Sequence, residues 1–136
     1  MTKKLSSLLT FLFPVFLFAQ SAFSDCDHVF TKVEHLPSLK ISHEAFEDTL
    51  ATVLKSRKFP LKDNEITYRF VVTNQSRIDD LVTESGSVGK EKILKETILS
   101  LANIWKPAIQ NGYEVCSYVR LKMHFKDNNI TVEIVQ

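Results

Sequence analysis

Trp105-Lys106-Pro107-Ala108-Ile109-Gln110-Asn111-Gly112 separates two stretches of different periodicity, and its reading decides the fold. Upstream, Ile93, Leu94, Ile98, Leu101 and Ala102 recur at helical spacing and form one apolar stripe. Pro107 disfavours helical geometry at Lys106 and donates no backbone hydrogen bond, so a helix over residues 90–104 must stop before it. Asn111-Gly112 tolerates positive φ at both positions and suits a chain reversal. Downstream, Val115, Ser117, Val119, Leu121, Met123 and Phe125 alternate with Cys116, Tyr118, Arg120, Lys122 and His124. That alternation predicts a long strand with one buried face. Trp105 ends the apolar stripe and is expected to fold over the core between helix and sheet. Trp105, Pro107, Asn111 and Gly112 are therefore structural residues.

The flanking chain extends the same reasoning. Ser42 is placed to cap a helix in which Ala45, Phe46, Thr49, Leu50, Val53 and Leu54 follow at helical spacing. Pro60 requires that helix to be over by Phe59. Ile66, Tyr68, Phe70 and Val72 share one face of a β-rich run. A turn at Asn74-Gln75-Ser76, lacking the usual glycine, returns the chain antiparallel over residues 78–85. Residues 86–89 form a loop before the second helix. Asp127-Asn128-Asn129 is a further hairpin signal, after which Ile130, Val132 and Ile134 alternate. This last strand is expected to cover the outer edge of the long strand, so that deleting residues 130–136 would uncover a pairing edge. Residues 25–39 have no period and are expected to lie extended across the domain. The order implies an α+β fold, with two helices packed on one face of a three- to four-stranded antiparallel sheet.

At 136 residues, 44% hydrophobic and 24% charged, the chain suits a single domain with a modest core. A formal net charge of +1 argues against nucleic-acid binding, which calls for a basic excess. Lys3 and Lys4 precede an apolar run over residues 8–19, and small residues follow, as in a secretory signal peptide. The run is shorter than the ~20 residues that span a bilayer as a helix, and Pro14 interrupts it. Ala22-Phe23-Ser24 favours cleavage before Asp25; a site at Ala19-Gln20-Ser21 and a retained inner-membrane anchor are the alternatives. The division is thus a signal peptide over 1–24 and one domain over 25–136, placed in the periplasm. Two cysteines in an exported chain raise a Cys26–Cys116 disulfide against two unpaired thiols. Because Cys116 alternates away from Val115 and Leu121, such a bridge would carry Cys26 across the open face of the sheet.

The residues that could carry chemistry do not assemble into a reaction centre. His28, His35, His43 and His124 have no zinc-ligand spacing, so no metal is expected. Cys116 and His124 lie on one strand roughly 26 Å apart at ~3.3 Å per residue, too far for a nucleophile and its base. Asp79-Asp80 and Glu44/Glu47 suit a turn and a helix start better than acid–base work. With three glycines and no phosphate-loop spacing, no cofactor is expected. Tyr118, Arg120, Lys122 and His124 form a polar, partly aromatic stripe that could contact a partner, or could be the solvated side of the sheet. No catalytic residue is assigned.

Trp-Lys-Pro-Ala at 105–108, the Asn111-Gly112 turn and the alternating strand ending in Phe125 together resemble the C-terminal signature of TonB C-terminal domains. The resemblance extends backwards through Phe70-Val71-Val72 as the first strand, residues 78–82 as its hairpin partner and residues 45–54 as the leading helix. It spans roughly residues 33–125. It implies a protein-binding module whose sheet edge pairs with an extended segment of an envelope partner, such as a TonB-dependent outer-membrane receptor. Self-pairing of two copies through a sheet edge is a second partnership that such an edge permits. The short signal followed almost directly by the domain departs from an energy transducer, which has an uncleaved anchor and a long Pro-rich linker. A soluble accessory or structural envelope protein is therefore the alternative, with a small-ligand or enzymatic domain behind it.

Overall fold

The structure, a computed structural model, describes residues 26–135. The expected signal peptide and its cleavage before Asp25 lie outside the described residues. In chain order these residues form β1 (Val29–Phe30), β2 (Ser38–Leu39), α1 (His43–Ser56), β3 (Asn64–Val72) and β4 (Ile78–Gly86). Then follow α2 (Glu91–Ser100), a 3-10 turn at Ala102–Ile104, β5 (Trp105–Lys106), β6 (Ala108–Gln110), β7 (Tyr113–Lys126) and β8 (Asn129–Val135). The class is α+β, as its sequence implies.

The helices begin and end for local reasons. Ser42 Oγ accepts a hydrogen bond from the Ala45 N–H at 3.1 Å, which satisfies one unpaired donor of the first turn of α1. At the other end Lys58 takes a left-handed φ of 56°, and the Phe59 N–H reaches back to Leu54 O at 2.9 Å. The second helix is shorter than its stripe predicts. It stops at Ser100, and the Ile104 N–H bonds to Leu101 O as the chain tightens into the 3-10 turn. Pairing of Trp105 and Lys106 with Leu39 and Ser38 in a two-stranded sheet competes with helix here. As a result α1, not α2, is the longer helix.

The sheet is built on β7. It pairs with β3 in unbroken antiparallel register, from Asn64 opposite Phe125 to Val72 opposite Ser117. Two two-residue turns flank it, each with positive φ at both positions: Asn111-Gly112 joins β6 to β7, and Asp127-Asn128 joins β7 to β8. The Asn-Gly reversal therefore turns strand into strand, not helix into strand. The turn at 74–76 closes without glycine: Ser76 takes a φ of 58°, and the buried Thr73 hydroxyl accepts from the Gln75 and Arg77 N–H groups.

Two parts of the expected sheet need correction. The main sheet has six strands among the described residues, not three to four, and it is not wholly antiparallel, because β1 runs parallel to β7 at Cys116 and Ser117. Two-residue strands carry no alternation, and β1 is set in place by a covalent tether, so its pairing leaves no mark in the sequence pattern. The last strand does cover β7 as expected, from Arg120 opposite Val135 to Lys126 opposite Asn129. It is not a detachable cover, however. Ile130 and Val132 are buried in the main core, and the Val132 N–H donates to Glu47 Oε1 of α1 at 3.0 Å. Removing residues 130–136 would open the core together with the edge.

Both helices pack on one sheet face. Phe46, Leu50 and Leu54 of α1 and Leu94 and Ile98 of α2 meet Ile66, Tyr68, Phe70, Val72, Val119, Leu121, Met123 and Phe125. Fully burying each large apolar side chain contributes about 1.5–3 kcal/mol of transfer free energy. The start of α2 has no side-chain cap, and Lys90 before it sits at a left-handed φ of 58°. Glu91, in its first turn, ties the helix to the sheet. Its Oε1 accepts from the Thr83 hydroxyl and, at 3.4 Å, from the buried Tyr68 hydroxyl, and it faces Lys95 Nζ at 3.6 Å. The Thr83 hydroxyl, and then Lys95, hold the Glu91 carboxyl below its ordinary value of 4.5. Burial, and then Glu91, push the Tyr68 phenol up. A carboxyl with a lowered folded-state pKa contributes stability that is complete above its ordinary value and is lost as pH falls through the folded-state value. Unfolding free energy should therefore decline on acidification below about pH 4.5, and Glu91→Gln should flatten part of that decline. Denaturant titrations at a series of acidic pH values check this; identical slopes for both proteins would remove Glu91 from the account.

Candidate functional site: a basic recess on the outer sheet face

The face of β7 turned away from the helices carries Cys116, Tyr118, Arg120, Lys122 and His124. Cys116 is bonded to Cys26, so the disulfide, and not two unpaired thiols, is present. The pair encloses 90 residues of sequence separation and brings the N-terminal segment onto this face. Val71, opposite Tyr118, is 1% exposed yet lies outside the main core, which marks this part of the outer face as covered. A disulfide of this kind suits an oxidising, extracytoplasmic compartment. Among the described residues no helix is long and apolar enough to cross a membrane.

The four residues read as a partner stripe have unlike surroundings. Lys122 Nζ lies 3.0 Å from Glu65 Oε1, and His124 Nδ1 lies 3.1 Å from Glu65 Oε2. Arg120 Nε lies 2.8 Å from Glu84 Oε2. Partly exposed pairs of this kind contribute about 0–1 kcal/mol each, so they neutralise the face more than they stabilise it. Tyr118 is half-buried, with the Arg69 guanidinium carbon 5.5 Å from its ring centroid.

Tyr118 and Arg120 meet in an open recess of about 550 Å³ that Thr31, Lys32, Arg69 and Val119 also line. Lys122 and His124 are not among its lining residues. Thr31, Lys32 and Arg69 were not singled out by sequence reasoning. Arg69 alternates with the core positions of β3, which marks it as outward-facing, but only the β3–β7 register shows which residues of β7 it meets. Lys32 follows a two-residue strand and carries no such signal. The recess lies at a break in the outer margin of β7. Ser117 pairs with Phe30 of β1 on one side, and Arg120 pairs with Val135 of β8 on the other.

The structural residues lie elsewhere. Trp105 is 1% exposed between α1 and the sheet, edge-on to Phe46 and Phe70. Pro107 lines a smaller recess with His35, Lys40 and Lys106. Asn111 donates its N–H to Glu34 Oε1 at 3.4 Å, which ties the β6–β7 turn to the N-terminal segment. The remaining histidines are scattered: His28 stacks edge-on to Phe30, His35 pairs through its backbone with Ile109, and His43 starts α1. Among the described residues no three His, Cys, Asp or Glu side chains gather as metal ligands would. No protein-family model, no curated protein and no solved structure matches this chain.

Proposed function

We propose that the mature chain is a non-catalytic, TonB C-terminal-like protein-binding module of the periplasm. It holds an extended segment of an envelope partner, of the kind an outer-membrane receptor presents, against the outer sheet face at Tyr118. The observation that carries this reading is the recess itself, an open cavity where a strand margin, an aromatic ring and unpaired cations converge. The resemblance at Trp105-Lys106-Pro107-Ala108 and Asn111-Gly112 supports it from the sequence.

The sheet margins define the form of binding. The outer margin of β7 is taken by β1 and β8 except around Tyr118 and Val119. At the other end of the sheet β4 is bent by two register shifts and by Asp80 at a φ of 53°, and it carries Asp79, Asp80 and Glu84. Bulges and charges of this kind discourage strand addition, and two copies paired there would oppose like charges. Main-chain pairing with a partner is therefore confined to a short stretch, and side chains in the recess supply the remaining contacts. A short pairing transmits little force, which favours an accessory role without energy transduction over a transducer.

Placing a photo-reactive amino acid at Tyr118 tests the reading in envelope fractions. A discrete adduct with an envelope protein is the expected result, absent when the same group is placed at Lys92, whose side chain is 89% exposed on α2. Equal labelling from both positions would overturn it.

A further inference from the structure

The recess at Tyr118 gathers three cations around one aromatic ring. Lys32 comes from the segment after β1, Arg69 from β3 and Arg120 from β7. Glu84 offsets Arg120. Among the described residues, neither Lys32 nor Arg69 takes part in an ion pair. The local excess is thus two positive charges in a concave site, within a mature sequence whose formal charge is −1 once Lys3 and Lys4 are removed. Concave sites of one sign concentrate ligands of the other.

We propose that this recess recognises a carboxylate side chain of an acidic, extended peptide; the proposal rests on the protein-binding reading and names the chemistry of that partner. The Arg69 guanidinium carbon lies over the Tyr118 ring, 5.5 Å from its centroid, and among the described residues no carboxylate engages its N–H donors, which suit a bidentate acceptor. Lys32, also at the lining of the recess, adds a point charge. The cavity of about 550 Å³ is far larger than an inorganic oxyanion needs and has room for a side chain with part of its backbone. A membrane surface is a poorer match, because the other basic residues of this face, Lys122 and His124, are both held against Glu65. The positive field is local, not spread over a face.

The recess also depends on the N-terminal segment. Lys32 and Thr31 stand at its wall because β1 docks on β7 beside the Cys26–Cys116 bond. Binding is therefore measured on the oxidised protein.

Calorimetric titration of the oxidised chain with a blocked, β-prone peptide carrying alternate glutamates decides the matter. The same peptide with glutamine should bind about tenfold more weakly, as expected for the loss of a charge-assisted hydrogen bond. Lys32→Gln and Arg69→Gln should each weaken the glutamate peptide by a similar factor. Arg69→Lys should recover part of the loss, and Lys92→Gln should change nothing. Circular dichroism of each variant excludes unfolding as the cause. Equal affinity for the two peptides would overturn the proposal. So would competition by inorganic phosphate at concentrations matching the peptide, which would make the recess a small-oxyanion site, or co-sedimentation with anionic vesicles in place of peptide binding. An adduct at Tyr118 with no preference for glutamate would remove this inference and keep the protein-binding reading. A clear glutamate preference with no adduct would keep the recess as an acidic-peptide site and overturn the envelope partner of the proposed function.

Discussion

Replacing Cys26 and Cys116 together by serine lowers the unfolding free energy by about 4–5 kcal/mol in the chain-entropy account of cross-links. The magnitude follows from the 90-residue separation of the two cysteines, which spans most of the described chain. Once the bond is gone, the unfolded ensemble regains the freedom that so long a closed loop denies it. The folded state loses something as well. Only two residues of β1 pair with β7, in parallel, and a pairing that short does not hold a strand without other anchors. Native stabilities are typically about 5–15 kcal/mol, so the loss is a large share of the total. Urea unfolding of the oxidised wild type and the double serine variant measures it directly. A difference under about 1 kcal/mol would mean that the reduced unfolded chain stays compact and that the loop-closure argument fails. The variant should also lose affinity for the glutamate peptide, because Lys32 and Thr31 no longer stand at the wall of the recess.

This tether also explains which parts of the molecule were legible in the sequence. The long elements announce themselves: the Ser42 cap and apolar stripe of α1, the alternation from Ile66 to Val72, and the alternation along β7. Each is a local pattern repeated often enough to stand out, and burial follows it except at Val71 and Cys116, which are buried on the outer face. The strands of two or three residues do not repeat, so β1, β2, β5 and β6 are set by what they meet. Leu39 and Trp105 pair because the chain ends of α1 and α2 bring them together, and that pairing shortens α2 at Ser100. The polar stripe of β7 was legible as a stripe, but not as a site. Whether Lys122 is a free cation or Glu65's partner depends on the register of β3 against β7, and Glu84 reaches Arg120 beside a register shift in β4. The recess draws on three segments distant in sequence, so alternation along any one strand shows only a part of it.

Trp105→Ala should be as damaging as loss of the disulfide, by an unrelated route. The indole is 1% exposed, and its ring centre lies 5.4 Å from that of Phe70 and 6.2 Å from that of Phe46, both close to perpendicular. It therefore joins α1 to the sheet at the point where α2 has already ended. Truncating a buried tryptophan to alanine costs about 3–5 kcal/mol, including the cavity that the surrounding structure fills only in part. The two edge-on ring contacts lie at the spacing at which aromatic pairs contribute about 0.5–1.5 kcal/mol beyond their buried area, which favours the upper end of that range. Trp105→Phe should retain part of the packing and lose less. Because Trp105 is the sole tryptophan of the chain, its fluorescence reports unfolding only in the wild type, and far-UV circular dichroism must follow all three proteins. Cavity formation predicts the order wild type, then Trp105→Phe, then Trp105→Ala in midpoint denaturant concentration, with unchanged slopes. An alanine variant within about 0.5 kcal/mol of wild type would place the indole in solvent. In that case the Trp-Lys-Pro-Ala junction, and not the Tyr118 recess, would become the surface to test for a partner.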